Sequence, residues 1–127
     1  MWRRLIMAVS AAFMAILGVA ATFAPDELLP RLGAPATPAL TLAIQLLGAL
    51  YLAFAILNWT ARQSLIGGIY NRPVALGNML HFTAGALALI KGAAGTELVA
   101  LAALYALFAV AFGWVLFTSP VTPVTKK

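Results

Sequence analysis

The chain has 127 residues, of which 64% are apolar and 9% are charged, and it carries a formal net charge of +5. This composition lies outside that of soluble domains. The basic residues lie beside apolar runs, not in a patch with interleaved aromatic residues, which argues against nucleic-acid binding. The absence of cysteine excludes disulfides, thiolate metal sites and a cysteine nucleophile.

Four apolar runs fill most of the chain, at about residues 5–24, 38–58, 73–90 and 98–117. Each approaches the roughly 20 residues with which an α-helix crosses a hydrocarbon core of about 30 Å. The connections are short and favour antiparallel neighbours. The sequence therefore predicts an all-α fold, an integral membrane four-helix up-down bundle that forms a single transmembrane domain over residues 1–127.

The first run resembles a secretory signal peptide in one respect, because Arg3 and Arg4 precede it. The apolar core of a signal peptide is about 7 to 15 residues, which is shorter than this run. We therefore predict that the first span is retained, and cleavage is the alternative.

The breaks between the runs carry helix-start signals. Thr37 followed by Pro38 predicts an N-cap and a first helical position, and Pro73 predicts the same position in the third run. Thr96 predicts the cap of the fourth run. The proline-containing segment 25–36 predicts an ordered turn or a short helix.

Charge predicts the orientation of the spans. Six basic residues share one side: Arg3, Arg4, Arg62, Arg72, Lys126 and Lys127. The other side holds two basic residues and all three acids: Arg31, Lys91, Asp26, Glu27 and Glu97. Since basic residues in short loops stay cytoplasmic during insertion, both termini are predicted in the cytoplasm. Four aromatic residues fall near the same interface and support this register: Trp2, Trp59, Tyr70 and Trp114.

Small residues offer faces for close helix packing, which matters because lipid provides no hydrophobic drive for helix association. In the first span they are Ala8, Ala11, Ala15, Gly18 and Thr22, and in the fourth Ala102, Ala106, Ala109 and Gly113. Chance spacing in alanine-rich helices is the alternative explanation. The small bundle also leaves room for homo-oligomerisation.

His81 is the only charged or imidazole side chain far from a span end, about 12 Å along the helix from Pro73. Polar groups at that depth normally face protein or a cavity. Asn78, three residues earlier, lies on the same side of the helix. Three small residues are spaced to share one helix face with His81: Gly77, Ala84 and Ala88. We therefore expect the imidazole to point into the bundle.

Span two supplies further polar groups. Tyr51 and Asn58 are seven residues apart and nearly eclipsed, and Tyr51 lies at about the depth of Asn78 and His81. These four residues form the predicted polar or ligand site, open toward the cytoplasmic half. Gln45 lies nearer the other leaflet and is a second polar site.

Three interpretations of this site compete. His81 and Asn78 can simply hydrogen-bond across helices; neutral His81 can bind a ligand headgroup or pass a proton; or His81 can face lipid. One histidine provides neither a self-contained zinc site nor a catalytic triad, so no metal site and no catalytic residue are predicted.

The stretches QLLGALYLAFAILNW and RPVALGNMLHFTAGALALIKG, with the four-span layout, resemble small bacterial membrane proteins of unassigned function and, among them, the DoxX-like group. This resemblance implies only a four-helix membrane bundle. The predicted location is the bacterial cytoplasmic (inner) membrane. DoxX-like proteins are linked to oxidoreductase or quinone-related membrane systems, but no functional residue is carried over.

Three functions follow as hypotheses. The first is a non-enzymatic accessory or small-ligand-binding bundle, which uses its inner faces and basic cytoplasmic rim to meet a membrane-complex partner or anionic lipid. The second is a small transporter or proton-conducting unit centred on His81. The third is a membrane enzyme for a quinone or isoprenoid. The expected ligand is a lipid, a quinone or another apolar small molecule, and no cofactor is assigned.

Overall fold

The computed structural model describes residues 1–63, 71–92 and 95–118. This part of the chain contains helices and no strand, which confirms the all-α prediction. The helices are α1 (Trp2–Phe23), α2 (Pro25–Arg31), α3 (Pro38–Ala61), α4 (Asn71–Gly92) and α5 (Thr96–Phe117). Four of them, α1, α3, α4 and α5, are long and apolar enough to cross a membrane. Tyr70, Lys126 and Lys127 lie outside the described residues.

The long helices extend beyond the apolar runs by up to three residues. α1 begins at Trp2, α3 continues to Ala61, and α4 reaches Gly92. Hydropathy underestimates these ends because polar and charged residues continue a helix without lengthening its apolar run.

Helix starts follow the predicted chemistry at α3 and depart from it elsewhere. Thr37 is the N-cap of α3, with its hydroxyl oxygen accepting from Leu40 N at 3.3 Å, and Pro38 is the first helical residue. The prediction for Pro73 is wrong, because α4 already includes Asn71. Pro73 is tolerated there because a first-turn N–H has no intrahelical partner. Thr96 is also not a cap, since Gly95 holds that position with φ of 108°.

The segment between α1 and α3 forms the short helix α2, one of the two predicted alternatives. Gly33 follows it with φ of 76°, a conformation that glycine adopts without strain. Gly33 N donates to Pro30 O at 3.0 Å and Ala34 N to Leu29 O at 2.9 Å, which is a Schellman motif. The Asp26 carboxylate accepts from Thr41 Oγ1 at 2.8 Å and so ties α2 to α3.

The chain divides into two compact units. The N-terminal hairpin is Met7–Arg62, and the C-terminal hairpin is Met1–Ile6 together with the described part of Gln63–Lys127. In the first, α1 and α3 run antiparallel, and in the second, α4 and α5 do so. The single transmembrane domain stays a prediction.

The buried faces differ from the predicted small-residue faces. In α1, Ala11 and Gly18 are buried as expected, together with the larger Met7 and Met14. In α5, Ala102 is buried, but the rest of the buried face consists of Tyr105, Phe108, Phe112 and Val115. The prediction for α5 is wrong because bulky rings, not alanines, fill the contact with α4.

Candidate functional site

The predicted site residues divide between the two hairpins. Tyr51 and Asn58 belong to the N-terminal hairpin, and Asn78 and His81 belong to the C-terminal hairpin. The proximity of these two pairs stays a prediction. Gln45 is exposed on α3.

His81 lies at the edge of an aromatic cluster. Its imidazole centroid is 5.5 Å from that of Tyr105 on α5, with the ring planes tilted by 49°, and 5.2 Å from that of Phe82. The His81 side chain is partly exposed, whereas Phe82 is fully buried and Tyr105 is 2% exposed. His81 therefore packs against this core with its Nε2 atom buried, while another part of the side chain is exposed.

The cluster continues as a set of packed rings centred on Phe82. The Phe82 ring stacks on Phe108 at 4.8 Å and on Phe112 at 5.8 Å, and it meets the ring of Tyr105 at 5.2 Å in a T-shaped contact. Such arrangements match the preferred geometries of aromatic pairs. These rings are buried, with Phe82 and Phe112 0% exposed and Phe108 8% exposed, so they form the packed contact between α4 and α5.

Gly85 makes room for the cluster. A Cβ atom placed on Gly85 would lie 2.5 Å from Tyr105 Cε1 and 2.6 Å from Tyr105 Cδ1, which is closer than non-bonded carbon atoms approach one another. The absence of a side chain at Gly85 therefore allows the Tyr105 ring to lie against α4.

The face of α4 predicted to point inward is rotated from the observed one. Ala84 and Ala88 are exposed, and the buried residues include Asn78, Phe82 and Ala86. The physical reason is the volume of the facing α5 rings, which pack on Phe82 instead of on alanines.

Asn78 is fully buried, and its amide has a partner in its own helix. Asn78 Nδ2 donates to Val74 O at 2.8 Å, one turn earlier on α4. A buried amide requires such hydrogen bonds wherever it lies. This contact satisfies one of the two N–H donors of the Asn78 amide.

Asn58 forms a buried polar pair with Ser10, which sequence reasoning missed. Asn58 Nδ2 donates to Ser10 Oγ at 3.1 Å across the α1–α3 contact, and Ser10 Oγ donates to Met7 O at 2.9 Å. Both side chains are 0% exposed. The available signal was that Ser10 is the only serine within the four apolar runs.

The same two helices approach closely through glycines. A Cβ atom on Gly48 would lie 2.5 Å from Thr22 Oγ1, 2.8 Å from Thr22 N and 3.0 Å from Gly18 O. One on Gly18 would lie 2.8 Å from Leu52 Cγ. The Thr22 hydroxyl is buried at this crossing and has no hydrogen-bond partner among the described residues. Backbone atoms of α1 and α3 are therefore almost in contact here.

The chemistry available at His81 is hydrogen bonding, proton exchange and aromatic contact. The acids lie in the first turns of α2 and α5: Asp26, Glu27 and Glu97. Glu97 is eight residues, about 12 Å along the helix, from the Tyr105 that contacts His81. Within residues 1–63, 71–92 and 95–118, no three His, Asp or Glu side chains come together as a metal site.

Comparison with known proteins gives no relative from which a role could be transferred. No protein-family model matches the chain, and no curated protein and no solved structure matches it significantly. The resemblance to the DoxX-like group therefore rests on the layout of the sequence, and function must be argued from the residues themselves.

Proposed function

We propose that this chain is a multi-pass protein of the bacterial inner membrane, a four-helix bundle that binds a small apolar ligand or a membrane partner and catalyses no reaction itself. One observation carries the membrane assignment: every long helix presents large apolar side chains outward. Ile16, Ile56, Leu80 and Leu107, one from each, are 65–69% exposed. Soluble monomers rarely expose contiguous apolar surface of this kind, whereas lipid covers it at no cost.

The proposed orientation places both termini in the cytoplasm and can be tested directly because the chain has no cysteine. Ala36 and Gln63 are exposed and lie beyond opposite ends of α3. In intact cells, a membrane-impermeant maleimide should label the Ala36→Cys variant and not the Gln63→Cys variant. Labelling of Gln63→Cys alone would reverse the orientation, and equal labelling of both would contradict a spanning α3.

The ligand-binding role is supported by the placement of His81. Its imidazole adds a polar group to the aromatic cluster beside the Tyr105 hydroxyl, and the His81 side chain is partly exposed although its Nε2 atom is buried. In a bilayer the exposed part of this side chain meets lipid, so an amphipathic molecule can approach the imidazole by lateral diffusion. Convergence of a polar group with apolar and aromatic surface is typical of small-ligand sites.

The test compares His81→Gln and His81→Leu with Thr83→Leu, which removes an exposed polar group from the same helix. Mass spectrometry of the lipids and small molecules that copurify with each variant should show one species that is lost with His81→Leu, reduced with His81→Gln and retained with Thr83→Leu. An identical set of molecules in all variants, with unchanged thermal stability in detergent, would refute the ligand role.

Proton conduction is the second candidate, since His81 lies near the middle of α4, ten residues from Asn71. An imidazole can both accept and donate a proton, so it can relay protons within a membrane. Proton flux into proteoliposomes that His81→Leu abolishes would favour conduction. A copurifying quinone or isoprenoid that the protein turns over would instead favour the enzymatic alternative.

A further inference from the structure

We propose that one end of the C-terminal hairpin binds the phosphate groups of anionic phospholipids through Arg4 and Arg72, whereas Arg3 at the same end serves the fold. This inference rests on the proposed membrane insertion, and it assigns a lipid class and separate roles to the arginines. The surface formed by Arg4, Arg72, Trp2 and Trp114 is called the arginine end below.

The pairing of α4 with α5 brings these residues to one level. Gly85 contacts Tyr105, and Gly113 lies near Met79, so the start of α4 adjoins the finish of α5. Arg72 is seven residues, about 10 Å, before Met79, and Thr118 is five residues, about 7 Å, after Gly113. Both therefore project beyond the same end of the apolar contact.

Arg3 brings the first turn of α1 to this end. Its Nη2 donates to Thr118 O at 2.7 Å, at the C-cap of α5. A guanidinium at this position satisfies a terminal carbonyl and complements the helix dipole. The Arg3 side chain is therefore hydrogen-bonded within the protein and is partly buried.

Arg4 and Arg72 are placed differently, since both side chains are exposed. Among the described residues, neither forms a hydrogen bond or an ion pair, and the described acid of this hairpin, Glu97, lies at its opposite end. Two guanidinium groups without a carboxylate leave their donors available to an external anion, and arginine binds phosphate in a bidentate manner.

Aromatic residues set the depth of the arginine end. Trp2 is 42% exposed and Trp114 is 62% exposed, and each lies within one turn of the helix terminus. Exposed indole rings prefer the headgroup level of a bilayer. The guanidinium groups beside them therefore lie where lipid phosphates are, and not in bulk water.

The opposite end of the same hairpin provides the contrast. There Lys91 lies near the end of α4 and Glu97 in the first turn of α5, so the formal charges cancel. No tryptophan occurs within the described residues at that end. Attraction of anionic lipid is therefore expected at one end of the hairpin only.

The experiment uses the full-length chain in nanodiscs of phosphatidylcholine with a minor share of phosphatidylglycerol. Native mass spectrometry then measures the ratio of the two lipids that remain bound to the protein after it is released from the nanodisc. The wild type should retain phosphatidylglycerol above its share. The double variant Arg4→Gln with Arg72→Gln should lose this preference by about fivefold for each arginine removed.

The matched control is Arg31→Gln with Lys91→Gln, which removes the same charge from exposed positions elsewhere. It should keep the lipid preference. Arg3→Gln should also keep it but lower the melting temperature. Equal loss in the two double variants, or no loss in either, would overturn the proposal.

Carbonate extraction of the same proteins separates this inference from the proposed function. A protein that resists extraction but shows no lipid preference refutes this inference alone. A protein that is extracted refutes the proposed function as well.

Discussion

In the N-terminal hairpin, α1 and α3 meet through glycines and one polar pair, whereas in the C-terminal hairpin α4 and α5 meet through aromatic rings. A Cβ on Gly48 would strike backbone atoms of α1, but a Cβ on Gly85 would strike only the ring of Tyr105. In the proposed membrane location, lipid offers helices no hydrophobic drive to associate, so both contacts would depend on van der Waals packing. One achieves it by close backbone approach, and the other by ring area.

The largest effect is expected in the aromatic hairpin. Phe82→Ala removes a fully buried ring that packs on three others. The resulting cavity should lower the free energy of unfolding by about 3 kcal/mol. Reversible unfolding in mixed micelles measures this, with Phe117→Ala as the control, because Phe117 is 81% exposed. If the two variants were equally stable, the ring cluster would not hold the hairpin.

Substitution at the glycine contact between α1 and α3 should lower the free energy of unfolding almost as much. Gly48→Ala should cost about 2 kcal/mol, because the added methyl forces α1 and α3 apart. Thr22→Ala should not rescue it, since Thr22 N and Gly18 O remain in conflict with the methyl. Gly113→Ala is the matched control, because its nearest neighbour would be Met79 Sδ at 3.9 Å. That variant should be unchanged or more stable by about 0.5 kcal/mol in the same unfolding assay.

Gly85→Ala provides the counterpart in the aromatic hairpin. We expect a loss of about 1 kcal/mol, because only the Tyr105 side chain must move. Combination with Tyr105→Leu should therefore recover stability relative to the sum of the two single effects, by about 1 kcal/mol in a double-mutant cycle. Strict additivity would show that the conflict lies in the backbone and would remove the contrast between the hairpins.

The smallest effect concerns the polar pair. A cycle of Ser10→Ala and Asn58→Ala should give a coupling energy of about 0.6 kcal/mol, the average for hydrogen bonds between membrane helices. A coupling above about 2 kcal/mol would mean that the polar pair, and not the glycine contact, determines how α1 meets α3.

The helices themselves follow from simple physics. The long helices can be predicted from apolar runs of about 20 residues, because that is the length a bilayer span requires. The start of α3 can be predicted from Thr37 and Pro38, because capping is a local hydrogen-bonding effect. The α2 helix was one of two alternatives, since its short Schellman-capped turn depends on Gly33 adopting positive φ.

The helix faces were harder to predict. A helix that is apolar all round carries no amphipathic signal, so the sequence predicts an inward position for small residues such as Ala84 and Ala88, which are exposed in the structure. The register of helix pairs is a tertiary property, so the sequence named Asn58 as a polar site but not Ser10 as its partner. His81 was identified by its depth, but its place at the edge of the rings depends on Tyr105 and Gly85.

The hydrogen bond from Arg3 to Thr118 joins residues 115 positions apart. During synthesis, Arg3 emerges from the ribosome long before Thr118 exists, so this bond forms only after the last long helix has been made. Until then the Arg3 guanidinium lacks this carbonyl partner, and α5 lacks this cap. The first turn of α1 is thus fixed only once α5 has been made, and a chain truncated before Thr118 should remain distinguishable from one that includes it by protease access at Arg3 and Arg4.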